Sequence, residues 1–282
     1  MATETGEARR DGPRFRGVSL AELRHRFGGG ASVSDASLAA LRADPRLGAR
    51  ELAERLGRRR ERGEAERRRV EVLWEAERAL RPAGSRSTAG VDEVGMGPLA
   101  GPVVAAAVIL PEGVHFEGLR DSKRLTPAAR ERLAAEVWSV ARAVSIGMTS
   151  LAEIDRINIY QAGLLAMRRA VLGLRPGADG VLVDARRIPD LDVPQRAVVG
   201  GDDRVASISA ASIVAKVHRD TLMCALDSRH PGYGFAQNRG YGTAEHLDAL
   251  ERLGPSPAHR RSFAPVTRAL ARRAPRAAPG GA

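Results

Sequence analysis

Residues 88–110 read TAGVDEVGMGPLAGPVVAAAVIL and contain two short apolar runs separated by glycines and prolines. The first run ends at an acidic pair, Asp92-Glu93, and the second, residues 103–110, is mostly valine and alanine. Short apolar runs bounded by turn residues predict strands. This stretch therefore predicts two neighbouring strands, the first of which ends in two carboxylates.

The chain beyond residue 140 alternates apolar runs with amphipathic stretches. Such an alternation is typical of an α/β fold with one central mixed sheet flanked by helices. Further strands are predicted at residues 143–148, 181–184 and 197–199, and helices at 153–174, 208–226, 243–253 and 257–271. The last two of these are C-terminal helices that complete the predicted domain.

A helical, arginine-rich pattern precedes the first strand. Apolar residues recur at helical spacing over residues 37–80, and Pro45 is suited to the first turn of a new helix. Arginines alternate with acids over residues 58–69, which favours a solvent-exposed helix with i,i+4 ion pairs, although the same stretch could follow phosphates. Residues 1–17 and 272–282 are rich in Arg, Gly, Pro and Ala and are predicted to be disordered.

The charge of the chain favours a polyanionic partner. The net charge is +11 and the sequence pI is about 11.1, as is typical of proteins that bind nucleic acid. Residues 1–90 hold 20 arginines against 14 acids, so the excess is densest there. Only two of the 45 basic residues are lysines. Such a general preference for arginine raises the pI whether or not the arginines bind a partner. Charge favours nucleic acid over a merely solvated surface and decides nothing more.

Cysteine content and hydropathy bear on the compartment. The lone cysteine, Cys224, excludes a disulfide scaffold and a cysteine-based zinc site, and it fits a reducing compartment. No apolar segment of a secretory signal is predicted at the N-terminus. The uncharged run of residues 94–111 contains too many glycines and prolines for a membrane helix. We expect a soluble, cytoplasmic protein that does not bind membranes.

Acidic residues follow three of the predicted strands: Asp92-Glu93, Asp184 and Asp202-Asp203. Residues just beyond strand ends form the usual ligand crevice of α/β sheets. Carboxylates that converge there repel one another unless a divalent cation lies between them. Because the pattern holds only oxygen ligands and no HxH or HExxH motif, it indicates Mg²⁺ or Mn²⁺ rather than zinc. The residues alone do not decide between Asp202 and Asp203.

Gly95-Met96-Gly97 follows the acidic pair directly. It is no dinucleotide-binding fingerprint, because Pro98 and a strand follow where that motif needs a helix, and no Walker lysine is present. Small residues beside carboxylates do allow a substrate to approach main-chain N–H groups closely. This segment is therefore a candidate substrate-binding loop.

Residues 89–104, AGVDEVGMGPLAGPVV, resemble the opening motif of ribonuclease HII, the type 2 ribonuclease H family. Residues 18–80 are similar to the helical N-terminal extension of some bacterial members. Further motifs of the family follow in order: Asp121-Ser122-Lys123, Glu153-Ile154-Asp155, Val183-Asp184, Gly201-Asp202, residues 209–217, Arg219-Asp220, Tyr233-Gly234-Phe235, Gly240-Tyr241-Gly242-Thr243 and His259-Arg260-Arg261-Ser262-Phe263.

The resemblance implies a ribonuclease H-like catalytic domain over residues 85–271, preceded by a helical extension over residues 18–84. It implies an endoribonuclease that cleaves the RNA strand of RNA/DNA hybrids. It also implies cutting 5′ of ribonucleotides embedded in duplex DNA, with 5′-phosphate and 3′-hydroxyl products. The expected partners are these nucleic acids, and the expected state is a monomer.

The resemblance also assigns the site residues. By position, Asp92, Glu93, Asp184 and Asp202 are the catalytic carboxylates, which would hold two Mg²⁺ or Mn²⁺ ions for an in-line displacement. Tyr241 resembles the tyrosine of the family that stacks on the sugar beside the scissile junction. The other substrate-binding candidates are Gly95, Met96, Gly97, Lys123 and Lys216.

Three positions depart from the pattern of the family. Met96 stands where the family has an arginine, which would pair with a phosphate near the cut. Ala185 stands in place of a glycine, and Gly200 in place of a basic residue. None of these changes removes a metal ligand, so we expect intact metal binding with weakened cleavage or selectivity. The alternative function is a catalytically weakened homologue that binds hybrids.

Overall fold

The computed structural model describes residue 15 and residues 17–28, 33–120 and 122–273. Most of the two ends predicted to be disordered lies outside the described residues. The chain divides into two compact units, residues 1–69 and 70–282. The boundary between residues 84 and 85 remains a prediction.

The first unit is helical, as the apolar spacing predicts from residue 37 onward and as the family resemblance implies for residues 18–36. Its helices are α1 (Leu20–Gly28), α2 (Asp35–Arg42) and the first part of α3 (Leu47–Leu80). Ser34 caps α2, since its hydroxyl oxygen accepts the N–H of Ser37. Pro45 lies just before α3 and not inside it. A small core holds these helices together, formed by Leu23, Phe27, Leu38, Leu41, Leu52 and Leu56.

The second unit contains the predicted mixed sheet of five strands. Their spatial order is β3-β2-β1-β4-β5; β2 is antiparallel to β1 and β3, while β4 is parallel to β1 and β5. The first and the last residue of each strand lie within two residues of the predicted ones. The strands are β1 (Thr88–Val94), β2 (Val103–Ile109), β3 (Ala143–Thr149), β4 (Gly180–Asp184) and β5 (Gln195–Val198).

Helices cover both faces of this sheet. Along β2, Val104, Ala106 and Val108 pack into the core that contains α7, whereas Ala105 and Ala107 pack into the core that contains α6. This alternation is expected of a strand that is buried on both faces. The helices are α4 (Pro127–Val140), α5 (Leu151–Ile157), α6 (Ile159–Leu172), α7 (Ala206–Arg229), α8 (Phe235–Asn238), α9 (Ala244–Leu253) and α10 (Ala264–Arg273).

Gly90 in β1 sets the position of α7. A Cβ atom at this residue would lie 2.1 Å from the backbone carbonyl carbon of Ser207, so only glycine allows the helix to approach the strand so closely. The approach brings the N-terminal part of α7 and the preceding 3₁₀ turn (Gly201–Asp203) next to β1 and β4. The acidic end of the sheet depends on this contact.

Two helix predictions are wrong. A single helix over residues 153–174 is not formed, because Asn158 adopts φ 68° and separates α5 from α6. The Asn158 side chain then accepts the N–H of Gln161 and starts the second helix. The helix predicted over residues 257–271 begins only at Ala264, because the preceding residues form a loop from which the Arg260 side chain donates to distant backbone carbonyls.

Candidate active site

Three of the predicted acids meet at one end of the sheet. β1 and β4 are parallel with Val91 opposite Val183, so the residues that follow, Asp92 and Asp184, lie side by side. Glu93 comes next in β1, and the charge of Asp184 acts on its carboxylate as well. The strand order thus brings together carboxylates that are distant in the chain.

Asp202 reaches the same region through the backbone before α7. The N–H of Gly201 donates to Oδ1 of Asp184 at 2.7 Å, and Asp202 is the next residue. Its side chain is only 15% exposed, and its Oδ2 lies 3.6 Å from Nζ of Lys123. Asp203 is 45% exposed and forms a separate ion pair. These positions favour Asp202 over Asp203 as the fourth acid, a choice that the residue pattern left open.

The electrostatics of the cluster are those of crowded, buried carboxylates. Burial and the neighbouring charges of Glu93 and Asp184 raise the pKa of Asp92 well above its usual range. Burial also raises the pKa of Glu93 to about 7, although the guanidinium of Arg186 opposes the shift. Ser212 in α7 and the N–H of Glu93 bond to the Asp92 carboxylate and favour its ionised form. Without a bound cation, the surroundings of Asp92 and Glu93 therefore disfavour the ionised form of both carboxyl groups.

The acids do not form a closed ligand set. Within the described part of the chain, no three side chains of His, Cys, Asp or Glu are arranged to hold a metal ion between them. Glu93 Oε1 instead lies 3.5 Å from Nη2 of Arg186, and Asp202 faces Lys123. Because like-charged groups repel, each of these two acids turns toward a positive group of the protein.

The chemistry of the site nevertheless fits a hard divalent cation. Oε2 of Glu93 is buried and has no hydrogen-bond partner among the described residues, although buried carboxylate oxygens normally have one. Burial raises the pKa values of Asp92 and Glu93, and repulsion between the carboxylates adds to this rise. A divalent cation would give Oε2 of Glu93 a partner and offset that repulsion. The donors are all oxygens, as Mg²⁺ and Mn²⁺ prefer.

Two buried arginines hold the loop between β1 and β2, the segment that contains Gly95, Met96 and Gly97. Arg260 and Arg219 are both fully buried. Arg219 donates to the carbonyls of Ala100 and Pro102. Arg260 donates, over 2.6–3.2 Å, to the carbonyls of Gly95, Met96, Pro98 and Gly101. The sequence pattern assigned neither arginine a role, and the only signal was their place in the motifs at 219–220 and 259–263.

Tyr241 lies against this loop. A Cβ atom at Gly97 would be 3.6 Å from Cε1 of Tyr241, and the tyrosine is 44% exposed. A glycine beside an exposed ring leaves room for a flat group of a ligand. The two predicted substrate-binding residues are therefore neighbours.

A chain of hydrogen bonds through two histidines ends at the backbone of Tyr241. The N–H of Ser256 donates to Nδ1 of His259, so the proton of the neutral ring is on Nε2 and points at Nε2 of His246, 3.0 Å away. His246 must then carry its proton on Nδ1, which donates to the Tyr241 carbonyl at 2.8 Å. Burial keeps both rings neutral and lowers the pKa of His259 to about 4.

The predicted lysines differ in their surroundings. The Lys123 side chain is 77% exposed and lies beside Asp202, and its charge also acts on Glu93. The Lys216 side chain is 16% exposed, and its Nζ donates to Asp220 at 2.6 Å within α7. Lys123 thus stands at the cluster of acids, whereas Lys216 belongs to a buried ion pair. A phosphate contact by either residue remains a prediction.

The three departures from the family pattern have clear conformations. Ala185 adopts φ 52°, in the left-handed region where glycine is favoured, so the alanine is strained. Gly200 adopts φ 65°, which suits glycine. The Met96 side chain is partly buried and packs against the core that contains α6. None of these three residues displaces an acid of the cluster.

The chain is similar to known proteins over most of its length. The family model "Ribonuclease HII" matches residues 89–266, and "Ribonuclease HII N-terminal domain" matches residues 19–81. Proteins named ribonuclease HII from Anaeromyxobacter sp. (strain Fw109-5) and Myxococcus xanthus (strain DK1622) are 50% and 51% identical to the chain. These matches cover 90% and 89% of this chain, and 81% and 87% of the two relatives.

The fold is also shared with solved structures. The ribonuclease H2 from Pyrococcus horikoshii OT3 is 25% identical, with a TM-score of 0.54, over 66% of this chain and 98% of that protein. The expected ribonuclease H-like fold is thereby confirmed. In the described ranges of the chain, no helix has the length and apolar character to span a membrane. Because a family model covers more than half of the chain and the relatives are about half identical, the chain belongs to the ribonuclease HII family of nucleases.

Proposed function

We propose that the chain is a divalent-metal-dependent endoribonuclease that cleaves the RNA strand of RNA/DNA hybrids. We further propose that it cuts 5′ of ribonucleotides embedded in duplex DNA and leaves 5′-phosphate and 3′-hydroxyl ends. The observation that carries the proposal is the convergence of Asp92, Glu93 and Asp184, with Asp202 close by, beside the loop that contacts Tyr241. A weakened, purely binding homologue is not favoured, because no departure from the family pattern displaces an acid.

Asp92, Glu93, Asp184 and Asp202 would hold the metal, as two Mg²⁺ or Mn²⁺ ions. When bound, such ions lower the pKa of an attacking water and stabilise the charge on the leaving 3′-oxygen. The hydrogen bond from Gly201 fixes one oxygen of Asp184, and the N–H of Glu93 fixes one of Asp92. These acids are therefore oriented before any ligand arrives, which is the usual requirement of an efficient site.

Tyr241 and Gly97 would contact the sugar at the junction. The exposed ring provides a flat apolar surface, and the glycine leaves space for the 2′-hydroxyl-bearing ribose next to main-chain groups. The buried Arg260 holds the loop in one shape by its bonds to the loop carbonyls. Selection of a ribonucleotide over a deoxyribonucleotide would occur here, since the 2′-hydroxyl is what distinguishes them.

The helical extension over residues 18–84 would add affinity for the hybrid to the catalytic domain over residues 85–271. Exposed arginines on α3, among them Arg59, Arg62 and Arg68, support a contact with phosphates. Arg58 and Arg60 pair with acids one turn away, as the ion-pair interpretation of this helix predicts. A monomeric state and a cytoplasmic location complete the proposal.

The test uses two labelled substrates, a duplex with one ribonucleotide and an RNA/DNA hybrid, incubated with Mn²⁺ or Mg²⁺. We expect cuts 5′ of the single ribonucleotide and within the RNA strand, with 3′-hydroxyl ends that a polymerase can extend. Asp202→Asn should abolish cleavage, while the matched neighbour Asp203→Asn should cleave like the wild type. Binding without cuts would show the hybrid-binding alternative, and cuts in the hybrid alone would restrict the activity to long hybrids.

A further inference from the structure

Arg186 lies at the cluster of acids, two residues after Asp184. Its Nη2 is 3.5 Å from Oε1 of Glu93, and the side chain is 24% exposed. The guanidinium carbon lies 5.1 Å from the centroid of the Tyr160 ring, a cation–π distance. Tyr160 stands at the start of α6 and is 51% exposed. The aromatic ring and the carboxylate together fix a guanidinium at the edge of the site.

The same guanidinium lies next to Met96. A Cβ atom at Gly163 would be 2.9 Å from Sδ of Met96 and 3.2 Å from Nη1 of Arg186. The two side chains, which come from different loops, therefore end at the same small patch of α6. The guanidinium of Arg186 therefore supplies, next to Met96, the positive charge and the N–H donors that the Met96 thioether lacks.

The donors of Arg186 are only partly used. Nη1 is buried and has no hydrogen-bond partner within the described part of the chain. The contact of Nη2 with Glu93 is an ion pair at the long limit of hydrogen bonding. A buried N–H without an acceptor is costly, and a phosphate oxygen satisfies a guanidinium well, often through two parallel bonds. Met96 is unbranched and flexible, so it can rotate away from Nη1.

We propose that Arg186 binds a phosphodiester of the substrate strand beside Glu93, and that Tyr160 holds its guanidinium for that contact. The inference rests on the proposed function, since it assigns a phosphate contact within the same site. It also changes the expectation for Met96: the site has a guanidinium already, so the methionine does not weaken cleavage. A second arginine at residue 96 would meet Arg186 and be repelled.

The main test exchanges the two side chains. Arg186→Met should lower kcat/KM by roughly ten- to a hundredfold, the usual loss for one charged hydrogen bond. Met96→Arg alone should change kcat/KM by less than about twofold, because two guanidinium groups would compete for one place. The double variant Met96→Arg/Arg186→Met should recover most of the loss. Arg187→Met, at the exposed neighbouring residue, removes the same charge and should leave kcat/KM unchanged.

A binding measurement gives a readout that does not depend on cleavage. In EDTA, Arg186→Met should reduce the slope of log Kd against log salt for an RNA/DNA hybrid by about one, and Arg187→Met should not. Tyr160→Leu keeps the charge and should lower kcat/KM by about two- to fivefold, which covers the case in which Arg186→Met does not fold. Thermal melting of each variant reports on folding.

Three results would overturn the inference while leaving the proposed function intact. Arg186→Met could cleave and bind like the wild type. Met96→Arg alone could raise kcat/KM severalfold, which would show that the guanidinium of Arg186 does not take over the role of an arginine at residue 96. Arg186→Met could bind Mn²⁺ more tightly in calorimetry with an unchanged salt slope, which would mean that Arg186 only balances the charge of Glu93. A wild-type protein that cuts neither substrate would instead refute the proposed function.

Discussion

The Asp92 carboxylate is almost completely buried and has two like-charged neighbours, so its charge lowers the free energy of unfolding. Asp92 is 7% exposed, and Glu93 and Asp184 act on it. Asp92→Asn keeps the size of the side chain and removes the buried charge. We expect a melting temperature without divalent cations that is higher than the wild-type value, by about 2–4 °C for each kcal/mol gained, together with complete loss of cleavage.

The control for Asp92→Asn is Mn²⁺ itself. The wild-type melting temperature should rise with Mn²⁺, because ligands that bind the folded state stabilise it, whereas that of Asp92→Asn should barely move. Differential scanning calorimetry in EDTA and in Mn²⁺ measures both effects. A lower melting temperature for Asp92→Asn in EDTA would contradict the account of the cluster as a set of mutually repelling charges.

That Asp92, Glu93 and Asp184 lie near one another could be predicted from the sequence because they stand at the ends of β1 and β4, and a strand end is a local signal. Arg186, Arg219 and Arg260 could not, because each acts on groups that are remote in the chain. Arg260 donates to the carbonyl of Gly95, and Arg219 to that of Pro102, more than a hundred residues away. Nothing in the residues around an arginine shows that its partner is a distant backbone group.

At the scale of elements, the hydrogen-bonded histidines join the loop before α10 to the loop before α9. The bonds from Ser256 through His259 and His246 to the Tyr241 carbonyl predict a proton on Nε2 of His259 and on Nδ1 of His246. Nitrogen-15 NMR of the imidazole rings distinguishes these tautomers. The pKa values of both rings are lowered, so the free energy of unfolding should fall as pH drops below the unfolded histidine pKa of about 6.5.

The same histidines should act on the reaction through Tyr241. His246→Leu removes the bond to the Tyr241 carbonyl, and we expect kcat/KM on the single-ribonucleotide duplex to fall by about tenfold. In a Tyr241→Ala background the further loss should be small, because the residue that the histidine positions is already truncated. Equal losses in both backgrounds would show that His246 supports the fold alone.

The strands could be predicted because short apolar runs between glycines and prolines have few other interpretations. The long helix over residues 153–174 could not be predicted correctly, since the hydrophobic spacing continues across Asn158 without interruption. The break comes from the left-handed backbone of Asn158 and from its bond to Gln161, which are local geometry and leave the apolar period unchanged. The apolar period alone cannot show where one helix ends and the next begins.

At the scale of the whole molecule, the C-terminal part of α3 belongs to the second unit. Val70, Leu73 and Trp74 lie in its core, and the Trp74 ring donates to the Val114 carbonyl at 2.9 Å. Glu77 accepts the N–H of Ser207 at 2.8 Å and so caps α7, whose own N-cap residue makes no side-chain bond. The compact second unit therefore begins inside α3, at residue 70.

Two truncated chains test this division. A chain of residues 70–282 should fold, whereas one of residues 81–282 should lose well over 5 kcal/mol, since removal of a buried tryptophan alone costs about 3–5 kcal/mol. Urea unfolding compares the two. The longer chain should also keep its Mn²⁺ binding and show a smaller salt slope for the hybrid than the full chain. Equal stability of the two truncated chains would contradict the role given to residues 70–80.

Arg219 and Arg260 have one more consequence for a polyanionic ligand. Among the described residues, both bond to backbone oxygens and form no ion pair, so two full positive charges lie in the protein interior beneath the loop. Counterions cannot approach them, and their electrostatic potential at the surface is screened far less by dissolved ions than that of exposed arginines. The attraction of a nucleic acid to this part of the surface should therefore persist at ionic strengths that screen the attraction by the exposed arginines elsewhere.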